Sequence, residues 1–151
     1  MVTQTHHACA LEINNIGILI KGSSGSGKTS LMMGLLERAN QNNLEAFLIS
    51  DDQIHLNLSN KTLEARVPET ISGLVEIHGF GIVNHQHKET TNIALVVELV
   101  EDETIERLPE KQFFDFKTVK LPLLKVPRRH ENQSIRIVFS WLIENADLQV
   151  M

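Results

Sequence analysis

The chain has 151 residues, a formal net charge of -5 and 42% hydrophobic residues. That length suits a single domain, residues 1–151, with a sizeable core. The acidic balance argues against a nucleic-acid partner. The one cysteine, Cys9, excludes a disulfide framework within the chain and suits a reducing compartment. With no CxxC around it, Cys9 reads as a small apolar strand residue rather than a reactive thiol. Residues 1–10 are polar and lack the apolar segment of a secretory signal, and runs such as residues 93–100 are too short to span a bilayer. The expectation is a cytoplasmic protein with no membrane attachment.

Residues 8–13 read as a short strand, Asn14 and Asn15 as a turn, and residues 16–21 as an apolar strand. Glycine and serine fill residues 22–27. A helix follows, with Leu31, Leu35, Leu36 and Ala39 at helical spacing, and residues 40–43 stop it. Residues 46–50 form a compact apolar run that ends in Asp51 and Asp52. The pattern then changes. Ile54, Leu56 and Leu58 alternate with polar residues, as in a half-buried strand, and residues 63–67, 75–77, 81–84 and 93–100 are further strand candidates. Residues 111–117 read as a mobile loop, and residues 118–126 as a strand interrupted at Pro122. Residues 132–147 are predicted to be helical, with Ile135, Phe139, Leu142 and Ile143 as the apolar stripe.

Gly22-Ser23-Ser24-Gly25-Ser26-Gly27-Lys28-Thr29 satisfies every position of the pattern G-x-x-x-x-G-K-[ST], between an apolar strand and a helix. The chemistry needs each part. Glycines let successive N–H groups point inward at phosphate oxygens, and the helix aims its positive end at the same place. Lys28 can reach the β- and γ-phosphates, and Thr29 offers a hydroxyl to Mg²⁺. These residues are the candidate ATP site. The fold class they imply is α/β: a P-loop variant with a strand-rich core, one P-loop helix and a C-terminal helix.

Asp51 and Asp52 close a buried strand at its carboxyl end, the edge where ligands sit in open α/β sheets. One carboxylate can hold Mg²⁺ and the other can accept a proton from an attacking hydroxyl. Asp52 is taken as the base, because in many P-loop enzymes the first acid after the strand serves the metal and the next serves the nucleophile. His78, His85 and His87 have a spacing that could share one strand face, but no cysteine accompanies them, and a zinc site is disfavoured.

With these motifs together the chain resembles the catalytic domain of HPr kinase/phosphorylase, from about His7 to the final helix. That family phosphorylates a serine of HPr, a small phosphocarrier of the bacterial sugar phosphotransferase system. A family histidine ahead of the P-loop is matched by His7, and its Asp-Asp pair by Asp51 and Asp52. The family sequence Glu, apolar, Arg, Gly, Leu, Gly, Ile, apolar, Asn is matched by Glu76-Ile77-His78-Gly79-Phe80-Gly81-Ile82-Val83-Asn84. The resemblance makes Glu76 a second Mg²⁺ ligand beside Thr29. It makes Arg107, within Glu106-Arg107-Leu108, a catalytic arginine. It implies a homo-oligomer, a hexamer in the family, and a short single-domain form as found in some proteobacteria.

A Val-Pro-x-Arg-Pro-Gly-Arg-Asn loop tied in the family to phosphorolysis is matched only in part by Val126-Pro127-Arg128-Arg129-His130-Glu131-Asn132-Gln133. The expected function is therefore an ATP-dependent protein-serine kinase acting on an HPr-like phosphocarrier, with weakened phosphorylase activity. A small-metabolite kinase is the alternative, although no lid helix rich in arginine is evident. A nucleotide-dependent switch with little catalysis is a third reading, and Asp51, Asp52 and Glu76 argue against it.

Overall fold

A computed structural model of the chain describes residues 2–146. Its centre is made of strands that are apolar on both sides. β2 (Cys9–Ile13) turns at Asn14 and Asn15, both at positive φ, into β3 (Ile16–Lys21). Asparagine is one of the few residue types that enters this left-handed region readily. The glycine loop follows, then α1 (Lys28–Gln41). β4 (Ala46–Ser50) pairs antiparallel with β2, as β3 does on the other side. β3 and β4 are therefore the parallel pair of the expected βαβ unit, with β2 wedged between them.

β9 (Thr90–Val100) joins two layers. Its later part runs parallel to β3 and to β11 (Val119–Pro127). Its first residues pair antiparallel with β6 (Thr62–Arg66), which continues through β5 (Ile54–Ser59) to β1 (Val2–His6). The change of layer has a local cause. Gly17 pairs with Ile93 but Ile18 pairs with Leu95, so Ala94 is an extra residue that bends the strand. One extra residue also exchanges the faces. Ile93 packs in one core cluster and Leu95 in the other.

Those clusters lie on opposite sides of the central strands. Leu11, Ile18, Ile20, Leu48, Leu95 and Val97 meet Leu31 and Leu35 of α1 and Ile135, Val138 and Phe139 of α2 (Glu131–Ala146). Ala10, Leu19, Ile49 and Val96 meet Leu56, Leu63 and Ala65 of the folded-over strands, and Phe116. Helices thus cover one face and strands the other. This is the strand-rich α/β arrangement that the alternating middle third of the sequence implies. A separate hairpin, β7 (Leu74–Ile77) and β8 (Gly81–Asn84), is pinned by buried Val75.

Four details differ from the sequence reading. The polar amino-terminal tail contains a strand, β1, which the backbone of β5 recruits as a partner. The segment read as a mobile loop holds β10 (Gln112–Phe116), antiparallel to β11, with Phe116 buried in the second core. Pro122 does not interrupt β11, because pairing with β9 begins only at Leu123 and the missing N–H falls before that ladder. In α2, Val138 is buried while Ile143 is 40% exposed, so the stripe turns through Ile135, Val138, Phe139 and Leu142. The expected helix end at Asp147 lies outside the described residues. Among the described residues no helix is long and apolar enough to cross a membrane.

β2 carries one buried charge. The Glu12 carboxylate accepts from Lys88 Nζ at 2.6 Å and from Thr91 Oγ1 at 2.7 Å. The Glu12 side chain is 9% exposed and that of Lys88 40%. Lys88→Met strands the carboxylate and is expected to cost about 2 kcal/mol, less than the ~3–5 kcal/mol of a fully buried pair because water reaches the lysine. Glu12→Gln keeps a hydrogen-bonding group against Thr91 and is expected to cost less than about 1 kcal/mol. Urea denaturation of the two variants measures both, and an unmoved midpoint for Lys88→Met contradicts this account.

Candidate functional site

The site forms where the carboxyl ends of β3 and β4 meet the amino end of α1. Gly27, at φ 101°, turns the chain into the helix, a conformation costly for a residue with a side chain. A Cβ on Gly22 would lie 2.6 Å from Ser26 Oγ and 3.2 Å from Leu99 Cβ, so a side chain here would push Ser26 out of its place in the loop. Lys28 is buried, and its ammonium donates to the carbonyls of Gly22 at 3.0 Å and Ser23 at 3.1 Å. Ser26 Oγ is buried with no partner among the described residues. An ammonium, an unspent hydroxyl and a helix amino end facing one cradle fit anionic phosphate oxygens.

Asp51 ties the loop to the rest of the site. Thr29 Oγ1 donates to its Oδ1 at 2.6 Å, and the Glu76 backbone N–H donates to its Oδ2 at 3.1 Å. Asp52 takes no part in these bonds through its side chain. It is exposed and has φ 69°, the left-handed bend that follows the strand. Its carbonyl accepts the Ala8 N–H at 3.1 Å, which brings the backbone of His7 beside Asp52. The histidine side chain is exposed.

Cys9 is a contact that sequence reasoning missed. Its thiol donates to Asp51 Oδ1 and accepts the Asp52 N–H, both at 3.5 Å, and lies 4.0 Å from Thr29 Oγ1. Burial is the main reason that the thiol is pushed up to about 12. No local pattern marks this residue, because the contacts join positions far apart in the chain. Arg128 was likewise read only as part of an eroded loop. Its Nη1 lies 3.4 Å from Ser23 Oγ and donates to Glu101 Oε1 at 3.0 Å.

The other candidates stand apart from this contact network. The Glu76 side chain is exposed on β7, although its backbone holds Asp51. Arg107 is exposed beyond the short turn Asp102–Thr104, and among the described residues no hydrogen bond or ion pair engages it. Glu131 accepts from Ser30 Oγ, so it joins the first turns of α1 and α2. The rings of His85 and His87 engage backbone carbonyls through Nδ1 at 2.9 and 3.0 Å. A groove of about 540 Å³ lined by Leu36, Asn40, Leu44, Asn84 and Gln86 lies at the carboxyl end of α1. The helix has 14 residues, which separates that groove from the glycine loop by about 20 Å.

A strand, a glycine loop, a helix bearing lysine and threonine, and an aspartate on the second parallel strand define a P-loop phosphate-binding domain. The family model described as HPr Serine kinase C-terminal domain matches residues 1–151, and the chain belongs to that family. It is 31% identical over 134 residues to the HPr kinase/phosphorylase of Clostridium kluyveri, covering 82% of this chain and 42% of that protein. It is 31% identical over 133 residues to the HPr kinase/phosphorylase of an Acidovorax species, covering 81% of this chain and 40% of the relative. The chain thus spans about two fifths of the length of these curated relatives. The solved structure of the Hpr(Ser) kinase/phosphatase from Coxiella burnetii has the same fold, with a TM-score of 0.76 and 24% identity over 95% of this chain and 96% of that one.

The burial of Cys9 has a direct readout. In the native protein at pH 8 a thiol displaced from 9.0 to about 12 carries about a thousandfold less thiolate than a free cysteine. Ellman's reagent should therefore label native protein orders of magnitude more slowly than protein in urea. Equal rates in the two states contradict the packing described here.

Proposed function

We propose that this chain is the catalytic domain of an ATP- and Mg²⁺-dependent protein-serine kinase whose acceptor is an HPr-like phosphocarrier. The observation that carries the reading is the 2.6 Å bond from Thr29 to Asp51 at the mouth of the glycine loop, with Asp52 exposed on the next residue. Family membership supports it. MgATP supplies the transferable phosphoryl group and neutralises charge on its oxygens when bound. Lys28 and the loop N–H groups hold the phosphates. Thr29, Asp51 and Glu76 are the residues that would hold the metal.

Asp52 accepts the proton of the attacking serine hydroxyl, and its exposure leaves it open to a protein acceptor. His7, whose backbone lies beside Asp52, is the further catalytic residue that the family resemblance implies. Arg107, on its exposed loop, stabilises the charge being transferred, as Lys28 does. The family resemblance extends the reading to a cytoplasmic homo-oligomer.

Two variants test the assignment. Lys28→Ala should lower transfer from labelled ATP to a phosphocarrier serine by roughly a hundredfold or more, since it removes the cation over the phosphates. Asp52→Asn should lower transfer by about a hundredfold to ten-thousandfold while MgATP binding persists. Near-normal transfer in either variant sinks the corresponding role.

The forward reaction should outrun phosphorolysis. The reverse step needs inorganic phosphate held in line beside product, which arginines do best through paired hydrogen bonds. His78 stands where the family has an arginine, and Glu131 is engaged with Ser30. Supplying phosphorylated carrier with excess inorganic phosphate and assaying pyrophosphate gives the comparison. A rate equal to the kinase rate would remove this loop as the limiting feature.

A further inference from the structure

Arg128 has a geometry that the proposed mechanism does not use. Its backbone N–H donates to the Val100 carbonyl at 2.9 Å, which fixes it where β9 and β11 end together. The side chain, 20% exposed, turns toward the glycine loop. Nη1 reaches Glu101 Oε1 at 3.0 Å and Ser23 Oγ at 3.4 Å. Nε of the same guanidinium is buried and has no partner among the described residues. An arginine this enclosed, with a donor unspent, retains capacity for an anionic oxygen.

The charges around it point the same way. Arg129 also approaches Glu101, at 3.9 Å, so two guanidinium groups share one carboxylate. The Glu101 side chain is 46% exposed, and water can solvate it once a guanidinium leaves. Two guanidinium groups thus compete for one carboxylate at the rim of a loop suited to phosphate, with Asp102 set against His130 at 3.7 Å.

We propose that Arg128 is a second cation of the phosphate site, held by Glu101 and transferred to the terminal phosphate of a bound nucleoside triphosphate. Glu101 is then a competing anion that a phosphate displaces. The inference rests on the reading of the glycine loop as a nucleotide site. A static ion pair that only shapes the turn before α2 is the rival account, and the two differ in sign. Breaking a static pair from either side weakens the site. Under competition, losing the arginine weakens binding and losing the carboxylate strengthens it.

The test is calorimetric titration of ATP and ADP, with Mg²⁺, into the wild type, Arg128→Gln, Arg128→Lys, Glu101→Gln and Lys28→Ala. Arg128→Gln should bind ATP about tenfold more weakly, the scale of one charge-assisted hydrogen bond, and ADP within about twofold of the wild type. Arg128→Lys should recover part of the ATP loss. Glu101→Gln should bind ATP more tightly. Unchanged ATP affinity in Arg128→Gln, an equal loss for ATP and ADP, or weaker ATP binding in Glu101→Gln overturns the proposal. Should Arg128→Gln fail to fold by circular dichroism, the sign of the Glu101→Gln effect decides alone. Failure of the nucleotide-site reading looks different: Lys28→Ala would bind ATP as tightly as the wild type.

Discussion

The hydrogen bond from Thr29 to Asp51 is the contact on which the site depends. It joins the first turn of α1 to the end of β4, the strand that β2 separates from β3. The same carboxylate receives the Glu76 N–H from the β7–β8 hairpin and the Cys9 thiol from β2. Three segments therefore converge on one side chain borne at the end of a fourth, β4. Bonds to a charged acceptor are worth about 1.5–3 kcal/mol each, enough for their joint loss to release the loop from the strand edge.

The sheet explains how these segments come together. Parallel strands at the centre need cover on both faces. Here α1 and α2 supply one cover, and the β1–β5–β6 layer supplies the other. The extra residue at Ala94 lets a single strand, β9, serve both layers. With strands below and helices above, the carboxyl edge of β3 and β4 remains open beside Asp52. In the proposed function that exposure leaves room for an acceptor presented by another protein.

Much of this was legible in the sequence because it is local. The glycine loop is contiguous, with its strand before and helix after, and the run ending in Asp51 and Asp52 is a compact apolar strand. The alternation at Ile54, Leu56 and Leu58 marked the second layer, since one of its faces is buried. What escaped depends on partners distant in the chain. β1 is polar and gains its structure from β5, and β10 from β11. Pro122 looked like a break because its harmlessness depends on where β9 begins to pair. Cys9 and Arg128 escaped for the same reason: their contacts, with Asp51 and Ser23, cross 42 and 105 positions of sequence. Arg107 was named by resemblance, and it stands on an exposed loop away from the hydrogen bonds that organise Asp51.

In the proposed mechanism Asp51 serves the metal while Asp52 serves the nucleophile. Titrating ATP with and without Mg²⁺ into the wild type and Asp51→Asn tests it most directly. Asparagine can still accept the Thr29 hydroxyl through its one oxygen, so the tie to α1 is kept while the charge and the acceptor for the Glu76 N–H are lost. Mg²⁺ should tighten ATP binding to the wild type and tighten it much less in the variant, which keeps only Thr29 and Glu76 for the metal. An Asp51→Asn protein that keeps the full Mg²⁺ enhancement would contradict it.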